Sequence, residues 1–414
     1  MADSATMIRR NRFTLLGLAL LACRPSPQSA PPAVERGERA APAPAPAEKP
    51  SQLALVRAPG PPCGDARTPV GELRSRSEKA YDQGDYARAR ACAEAALEVE
   101  PRSVAALQDR ATALVASGEL EAARLAYATA LAVDPDDPDT LYGAADLYVT
   151  RRSGQREELL LGREYALRGA RIAQAPPRRD RVEAGELLLL AAMAENDLGE
   201  SRRALEHAFQ AQRLGANEAD ARYERGVALY ELCRFAEARS ALRRVVEIVP
   251  DDAWAHYYLG LVAERLGERG RAEALLRRAR QLAPSEFVPP VEMDRKAFEQ
   301  EVERAVASLP EEERRALAHV PVEVADEPAL EDLTAVDPPL SPTILGLFRG
   351  PSEHERCRAE DGPRCRSIVF YRLNLERFAR SEAELREQVK VTLLHELGHL
   401  HGESDEQLRA RGLE

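Results

Sequence analysis

Apolar and polar residues alternate with helical spacing through the middle of the chain, and the pattern repeats every 34 residues, as from Pro101 to Pro135 and from Gly84 to Gly118. Apolar residues three and four positions apart form one face of a helix, so the pattern predicts amphipathic helices. A constant period predicts helix pairs that stack on their neighbours. We expect about six such pairs between residues 67 and 284.

Small residues recur at one position of this repeat, five residues after the glycine or after Cys233, which replaces it. Paired helices must approach closely at that position. The residues are Ala89, Ala123, Ala204, Ala238 and Ala272. An insertion near residues 151–161 and Pro176-Pro177 are expected to distort the third pair. The segment resembles tetratricopeptide repeats, which implies a curved solenoid that binds a peptide or protein in its groove. The alternative is that the array only supports the rest of the chain.

Beyond residue 284 the pattern changes to short runs of β-branched and aromatic residues, at Val322–Val324, Thr343–Phe348 and Ile368–Tyr371. These runs predict a small sheet packed against helices. We expect the run Ile368–Tyr371 to be an exposed edge strand that pairs with an extended peptide. Tyr371 is expected to pack within its strand, in preference to stabilising an oxyanion.

Residues 382–401 return to helical spacing and contain the segment His395-Glu396-Leu397-Gly398-His399. The predicted buried face of this helix consists of Val389, Leu393, Leu397 and Leu400. Residues four apart share a helix face, so His395 and His399 can bind one metal ion. Glu396 is rotated around the axis, where its carboxylate suits a general base acting on water. This arrangement predicts a zinc site that hydrolyses peptide bonds.

A catalytic zinc site normally has three protein ligands, so one more must be found. Gly402 favours a left-handed helix end and a chain reversal, which would return Asp405 to the metal. His401 and Glu403 compete with it, but His401 faces away on a continuing helix. The expected centre therefore contains Zn²⁺ and three ligands: His395, His399 and Asp405.

From about residue 292 the chain resembles the small bacterial zincin-like metallopeptidases, sometimes called proteins with a matrix-metalloprotease-like domain. The resemblance rests on the helix that begins near Met293, on the β-rich runs and, most specifically, on the HExxHxxGxxD segment of residues 395–405. It implies the same ligands and Glu396 as the catalytic acid and base. Metzincins differ, because they have a histidine in place of Asp405 and a later methionine turn, whereas no methionine follows Met293.

The first 22 residues have the pattern of a signal peptide, with Arg9 and Arg10 before the apolar run Phe13–Ala22. This run is too short to span a bilayer. Leu20-Leu21-Ala22-Cys23 resembles a bacterial lipobox, which implies a lipid on Cys23 and an anchor in the cell envelope. The residue after Cys23 is not Asp, which favours the outer membrane. An ordinary secretory signal is the alternative. The Pro- and Ala-rich segment that follows predicts a disordered tether.

The net charge bears on nucleic-acid binding, and the cysteines bear on disulfide formation. A net charge of −11 argues against nucleic-acid binding. The chain has six cysteines, and an odd number remains when Cys23 is set apart. Cys357 and Cys365 flank a short polar loop and could form a local disulfide in an oxidising compartment, a pairing that the sequence leaves open; a zinc pair is the less favoured alternative.

These patterns predict a multidomain protein in which an all-α tetratricopeptide solenoid precedes a small α+β zincin-like domain. The expected divisions are a signal peptide at 1–22, a lipidated tether at 23–66, the solenoid at 67–284 and the metallopeptidase domain at 285–414. The leading hypothesis is an exported, lipid-anchored zinc metallopeptidase whose repeats recruit a substrate or partner. The rival is a non-catalytic periplasmic adaptor with a vestigial zincin domain.

Overall fold

The computed structural model of the chain describes residues 63–64, 67–152, 155–357 and 365–413. The predicted signal peptide, Cys23 and the tether up to residue 62 lie outside these ranges. The described residues divide after Val133 into two compact units. Within these ranges, no helix is both long enough and apolar enough to cross a membrane.

Helices in the described part of the repeat segment follow one another as six pairs, as the 34-residue period predicts. The first unit holds α1 and α2 (Val70–Asp82, Tyr86–Val99), then α3 and α4 (Val104–Ala116, Leu120–Val133). The second begins with α5 and α6 (Pro138–Asp146, Arg156–Gln174), then α7 and α8 (Arg181–Asp197, Ser201–Leu214). It continues with α9 and α10 (Glu218–Glu231, Phe235–Ile248), then α11 and α12 (Ala253–Arg265, Arg269–Leu282). The third pair is irregular, because a π-helical turn, Leu147–Arg151, extends α5.

The turn between paired helices requires a left-handed backbone at one residue. Gly84, Gly118, Gly199 and Gly267 have φ angles of 75° to 77° there. Cys233 occupies the same position with a φ of 56°. Glycine adopts this conformation without a steric penalty, which explains its recurrence. The alanines five positions later are all buried, so the predicted close approach of the helices is confirmed.

A disulfide between Cys63 and Cys92 lies in the first unit. Both cysteines belong to an apolar cluster with Leu73, Ala96 and Ala106. The sequence analysis did not predict this pair. The bond ties the segment that precedes α1 to α2.

Residues 295–413 form the remainder of the second unit, a three-stranded sheet with helices around it. The strands are β1 (Val322–Ala325), β2 (Gly346–Arg349) and β3 (Ser367–Tyr371). The helices are α13 (Arg295–Ala307), α14 (Glu311–Ala316), α15 (Leu330–Leu333), α16 (Arg372–Phe378), α17 (Glu382–Leu400) and α18 (Asp405–Ala410).

The strand order is β1-β3-β2, with β1 parallel and β2 antiparallel to β3. Strand β3 is therefore central and fully buried, so the prediction that Ile368–Tyr371 is an exposed edge is wrong. A run of four apolar and aromatic residues fits a strand that is covered on both faces, and short runs give no information about strand order. Tyr371 is buried in its strand, as expected.

Helix α17 packs along the sheet and carries two of the candidate metal ligands, His395 and His399, at its carboxyl end. The residues of its predicted buried face, Val389, Leu393, Leu397 and Leu400, are at most 2% exposed, which confirms that prediction. They share an apolar core with Phe298 of α13 and Ile368 and Phe370 of β3. This core fixes α17 beside β2, the edge strand next to the candidate site.

Candidate metal centre

The chain reverses direction directly after α17. Gly402 has a φ of 85°, the left-handed conformation expected at a helix end, and the N–H of Glu403 donates to the carbonyl of Gly398 at 2.9 Å. A capping box formed by Ser404 and Gln407 then starts α18. Leu408 is fully buried and packs against Gly398 so closely that an added Cβ there would lie 2.2 Å from its Cδ2. The reversal therefore brings α18 back over the end of α17.

This geometry gathers His395, His399 and Asp405 in one cluster. The two histidine Nε2 atoms are 3.1 Å apart. Asp405 Oδ1 lies 3.2 Å from His399 Nε2 and 3.7 Å from His395 Nε2. The side chain of Asp405 is 75% exposed, so the cluster opens to solvent on that side.

The cluster fits a tetrahedral zinc ion. Zn–N and Zn–O bonds are about 2.0–2.2 Å long, so two ligands of one tetrahedral zinc lie about 3.3 Å apart. The three separations within the cluster surround that value. Two imidazoles and one carboxylate are also a ligand set that catalytic zinc sites use.

Each histidine is oriented by a hydrogen bond from its other ring nitrogen to a backbone carbonyl. His395 Nδ1 donates to the carbonyl of Leu413 at 2.5 Å, and His399 Nδ1 donates to that of Glu403 at 3.0 Å. A carbonyl accepts only, so each ring carries its proton on Nδ1 and presents the lone pair of Nε2 to the cluster. Such outer contacts hold metal-binding histidines in position. The sequence contains no signal for them, because any residue supplies a carbonyl.

Glu396 lies under the edge strand and outside the ligand cluster. Its residue exposure is 5%, and its Oε2 accepts a hydrogen bond from the N–H of Phe348 in β2 at 2.6 Å. Burial raises the pKa of this carboxyl to about 8, against the opposing effect of the Phe348 hydrogen bond. Gly346 lies beside it, where an added Cβ would be 2.9 Å from Oε1. A carboxyl group that binds protons near neutral pH suits a general acid and base.

The competing candidates have other partners. His401 lies between Glu313 at 2.9 Å and Glu353 at 2.8 Å. Glu403 pairs with Arg411. Neither belongs to the cluster that His395, His399 and Asp405 form.

Cys357 and Cys365 form a disulfide, a pairing that the sequence left open. They flank residues 358–364, which lie outside the described ranges.

Comparison with protein families matches residues 317–413 to the zincin-like metallopeptidases. Residues 317–413 are a zincin-like metallopeptidase domain. Tetratricopeptide repeats match residues 80–147, 187–253 and 234–287, in agreement with the helix pairs upstream of this domain. The fold is therefore a tetratricopeptide solenoid followed by a small α+β domain of the zincin type, as the sequence analysis predicts. The search of curated proteins returns no match.

Solved structures similar to the chain include other tetratricopeptide proteins. The crystal structure of YrrB, a TPR protein with an unusual peptide-binding site, is 24% identical; it covers 46% of this chain and 92% of its own, with a TM-score of 0.37. PilW, a type IV pilus biogenesis factor, is 15% identical and covers 52% of this chain and 94% of its own, with a TM-score of 0.45.

Proposed function

We propose that the protein is a zinc-dependent metallopeptidase that hydrolyses peptide bonds. The observation that carries this proposal is the convergence of His395, His399 and Asp405 at zinc-ligand separations beside the buried carboxyl of Glu396. Bound zinc supplies a Lewis acid that polarises a carbonyl group and makes water more acidic. Membership of the zincin-like metallopeptidases supports the same chemistry for residues 317–413.

In this proposal Glu396 takes a proton from the attacking water and delivers it to the departing amine. Its position is fixed by the N–H of Phe348. His395 and His399 hold the metal through Nε2, and the carbonyls of Leu413 and Glu403 keep both rings in that orientation. Asp405 supplies the third ligand and balances part of the positive charge of the metal.

The substrate peptide pairs with the outer edge of β2 in this proposal. Tyr371 of β3 donates its N–H to the carbonyl of Leu345 at 2.9 Å, so backbone groups at alternate positions face away from β3. Gly346 and Phe348 are at those positions, next to Glu396. An extended peptide paired there by β-augmentation would use the backbone groups of Gly346 and the carbonyl of Phe348, because the N–H of Phe348 is bonded to Glu396, and it would lie alongside the general base.

We also propose that the solenoid binds a peptide or protein partner, because helix-pair arrays of this type offer extended binding surfaces.

The export and lipid anchoring expected from residues 1–23 remain part of the proposal. Two disulfides, Cys63–Cys92 and Cys357–Cys365, support an oxidising compartment. Incorporation of labelled palmitate into the wild-type chain, and its loss in Cys23→Ala, is the expected result; labelling that persists in Cys23→Ala contradicts the anchor.

The catalytic proposal is tested by Glu396→Gln, with Glu406→Gln as the matched control on exposed helix α18. Purified proteins are incubated with a pool of unfolded peptides, and cleavage is followed by mass spectrometry. We expect Glu396→Gln to retain zinc and to lose activity by about 100-fold or more, because it cannot transfer protons. The control should cleave like the wild type. A wild-type protein that binds zinc but cleaves no peptide would favour the rival adaptor function.

A further inference from the structure

The turns between paired helices of the second unit form a row that contacts the zincin-like domain. We call this set the turn row: residues 199–202, 231–234 and 264–267, which contain Gly199, Cys233 and Gly267 at 34-residue intervals. Arg202 pairs with Asp337. The Sγ of Cys233 donates to the carbonyl of Leu340 at 3.9 Å. The first two turns thus contact the loop between α15 and β2.

Two ion pairs at the third turn of the row are shielded from water. Glu264 accepts from Arg377 of α16 at 2.5 Å, and the side chains are 17% and 21% exposed. Arg265 pairs with Glu327 at 3.3 Å and is 9% exposed. Exposed pairs contribute little to stability, but loss of one partner from a shielded pair leaves a buried charge unpaired. Replacing Arg377 should therefore weaken this contact considerably.

Cys233 replaces the glycine of the repeat, and its side chain contacts the zincin-like domain. The equivalent positions, Gly199 and Gly267, are glycines with positive φ, whereas a cysteine at φ 56° is strained. Its side chain reaches Leu340, which a glycine has no atoms to do. Glu231, two residues earlier, accepts a hydrogen bond from Ser341. Local strain that persists in a fold indicates a role for the residue concerned.

The contacted loop leads directly to the edge strand of the candidate site. Asn374 donates to the carbonyls of Pro342 and Ile344, at 3.0 and 2.8 Å. The next residue, Leu345, is bonded to Tyr371, and β2 begins at Gly346. The N–H of Phe348 then holds Glu396 at 2.6 Å. A continuous set of contacts therefore runs from the turn row through the loop to the candidate general base.

We propose that the turn row is a docking surface for the zincin-like domain of the same chain, and that docking holds β2 in its position beside Glu396. The solenoid then supports the candidate site as well as offering a surface to a partner. Docking does not depend on metal binding or hydrolysis. A test of docking can therefore fail or succeed independently of a test of the proposed peptidase activity.

Hydrogen exchange of the full chain tests this proposal, with the amides of residues 334–349 as the readout. Arg377→Glu places two carboxylates together at the third turn, and we expect exchange in this segment to accelerate about tenfold or more. The exchanged pair Glu264→Arg with Arg377→Glu should restore slow exchange. Arg278→Glu is the matched control, since Arg278 pairs with Asp251 inside the solenoid and is outside the turn row.

A milder variant keeps the test decisive if Arg377→Glu does not fold. Arg202→Glu brings two carboxylates together at the exposed first turn, where the side chains of Arg202 and Asp337 are 56% and 75% exposed. We expect exchange of residues 334–349 to accelerate about twofold to fivefold, and by less at high salt. Unchanged exchange in the folded variants, at all salt concentrations, would overturn the proposal.

Discussion

The solenoid and the zincin-like domain are stabilised by different kinds of packing. Helices of the solenoid meet through small residues, such as Ala204 and Ala238, both fully buried. The zincin-like domain buries large side chains, including Phe298 and Phe370 in the core that α17 shares and Tyr371 in the central strand. A repeat allows one small residue to serve every interface, whereas a single domain must fill an irregular space once.

Both regions also bury polar side chains, which in the solenoid include Glu195, Asp220 and Glu224. The zincin-like domain encloses Asn374, Glu376, Gln388, Thr392 and Glu396, all less than 9% exposed. Several of these hold backbone that leads to the candidate site, as Asn374 does at Pro342. Buried polar groups are costly unless they are hydrogen-bonded, so those that hold the candidate site are more easily explained by function than by stability.

Loss of a large core side chain should have the largest effect on stability. Phe298→Ala removes a fully buried ring from the core shared by α13, β3 and α17. We expect the free energy of unfolding of the zincin-like domain to fall by about 3–5 kcal/mol. Chemical denaturation followed by circular dichroism measures this. A loss below about 1 kcal/mol would show that the core is loosely packed.

The solenoid should respond instead to an increase in volume. Ala238→Leu inserts a larger side chain where α10 packs closely, and we expect a loss of about 1–3 kcal/mol. The same substitution at exposed Ala236 is the matched control and should change little. Equal losses at both positions would contradict the close approach of the helices.

Glu231 should make stability depend on pH where the solenoid contacts the zincin-like domain. Burial raises the pKa of this carboxyl from 4.5 to about 7, with Tyr230, Tyr258 and Cys233 as its titratable neighbours. The folded state therefore binds the proton more tightly than the unfolded state, and the stabilisation is lost as pH rises from about 4.5 through 7. Thermal unfolding across this range should show a shallower pH dependence in Glu231→Gln. An unchanged dependence would contradict the assignment.

Cys233→Gly should have the smallest effect, and it should have opposite signs in the two regions. Glycine relieves the backbone strain at φ 56°, so the solenoid should gain about 0.5–1 kcal/mol. The contact with Leu340 is lost, so exchange of residues 334–349 should accelerate slightly. Denaturation of the solenoid and exchange of the loop measure the two effects separately. A destabilised solenoid would refute the strain argument.

Local rules made much of the molecule predictable. The spacing of Gly84 and Gly118 predicts the turns, and helical spacing predicts that His395 and His399 share a face. Gly402 predicts the reversal that brings Asp405 close to them. Each of these inferences depends on residues that are near one another in sequence.

Contacts distant in sequence were not predictable in the same way. The central position of β3 depends on pairing with strands about 20–45 residues away, and a short apolar run carries no information on strand order. The carbonyl of Leu413 and the N–H of Phe348 are backbone groups, which leave no trace in residue type. Arg377 and Glu264 are 113 positions apart. From the sequence, each of them alone is expected to be an exposed charged side chain without a specific partner.

The most direct test of the central claim is the metal content of the purified protein, measured by elemental analysis for the wild type, His399→Ala and Asp405→Ala. His401→Ala is the matched control, because His401 binds two glutamates outside the cluster. A three-ligand site predicts about one zinc per wild-type and control chain, none in His399→Ala and greatly weakened binding in Asp405→Ala. Full zinc occupancy in Asp405→Ala, or no zinc in the wild type after incubation with the metal, would contradict the account.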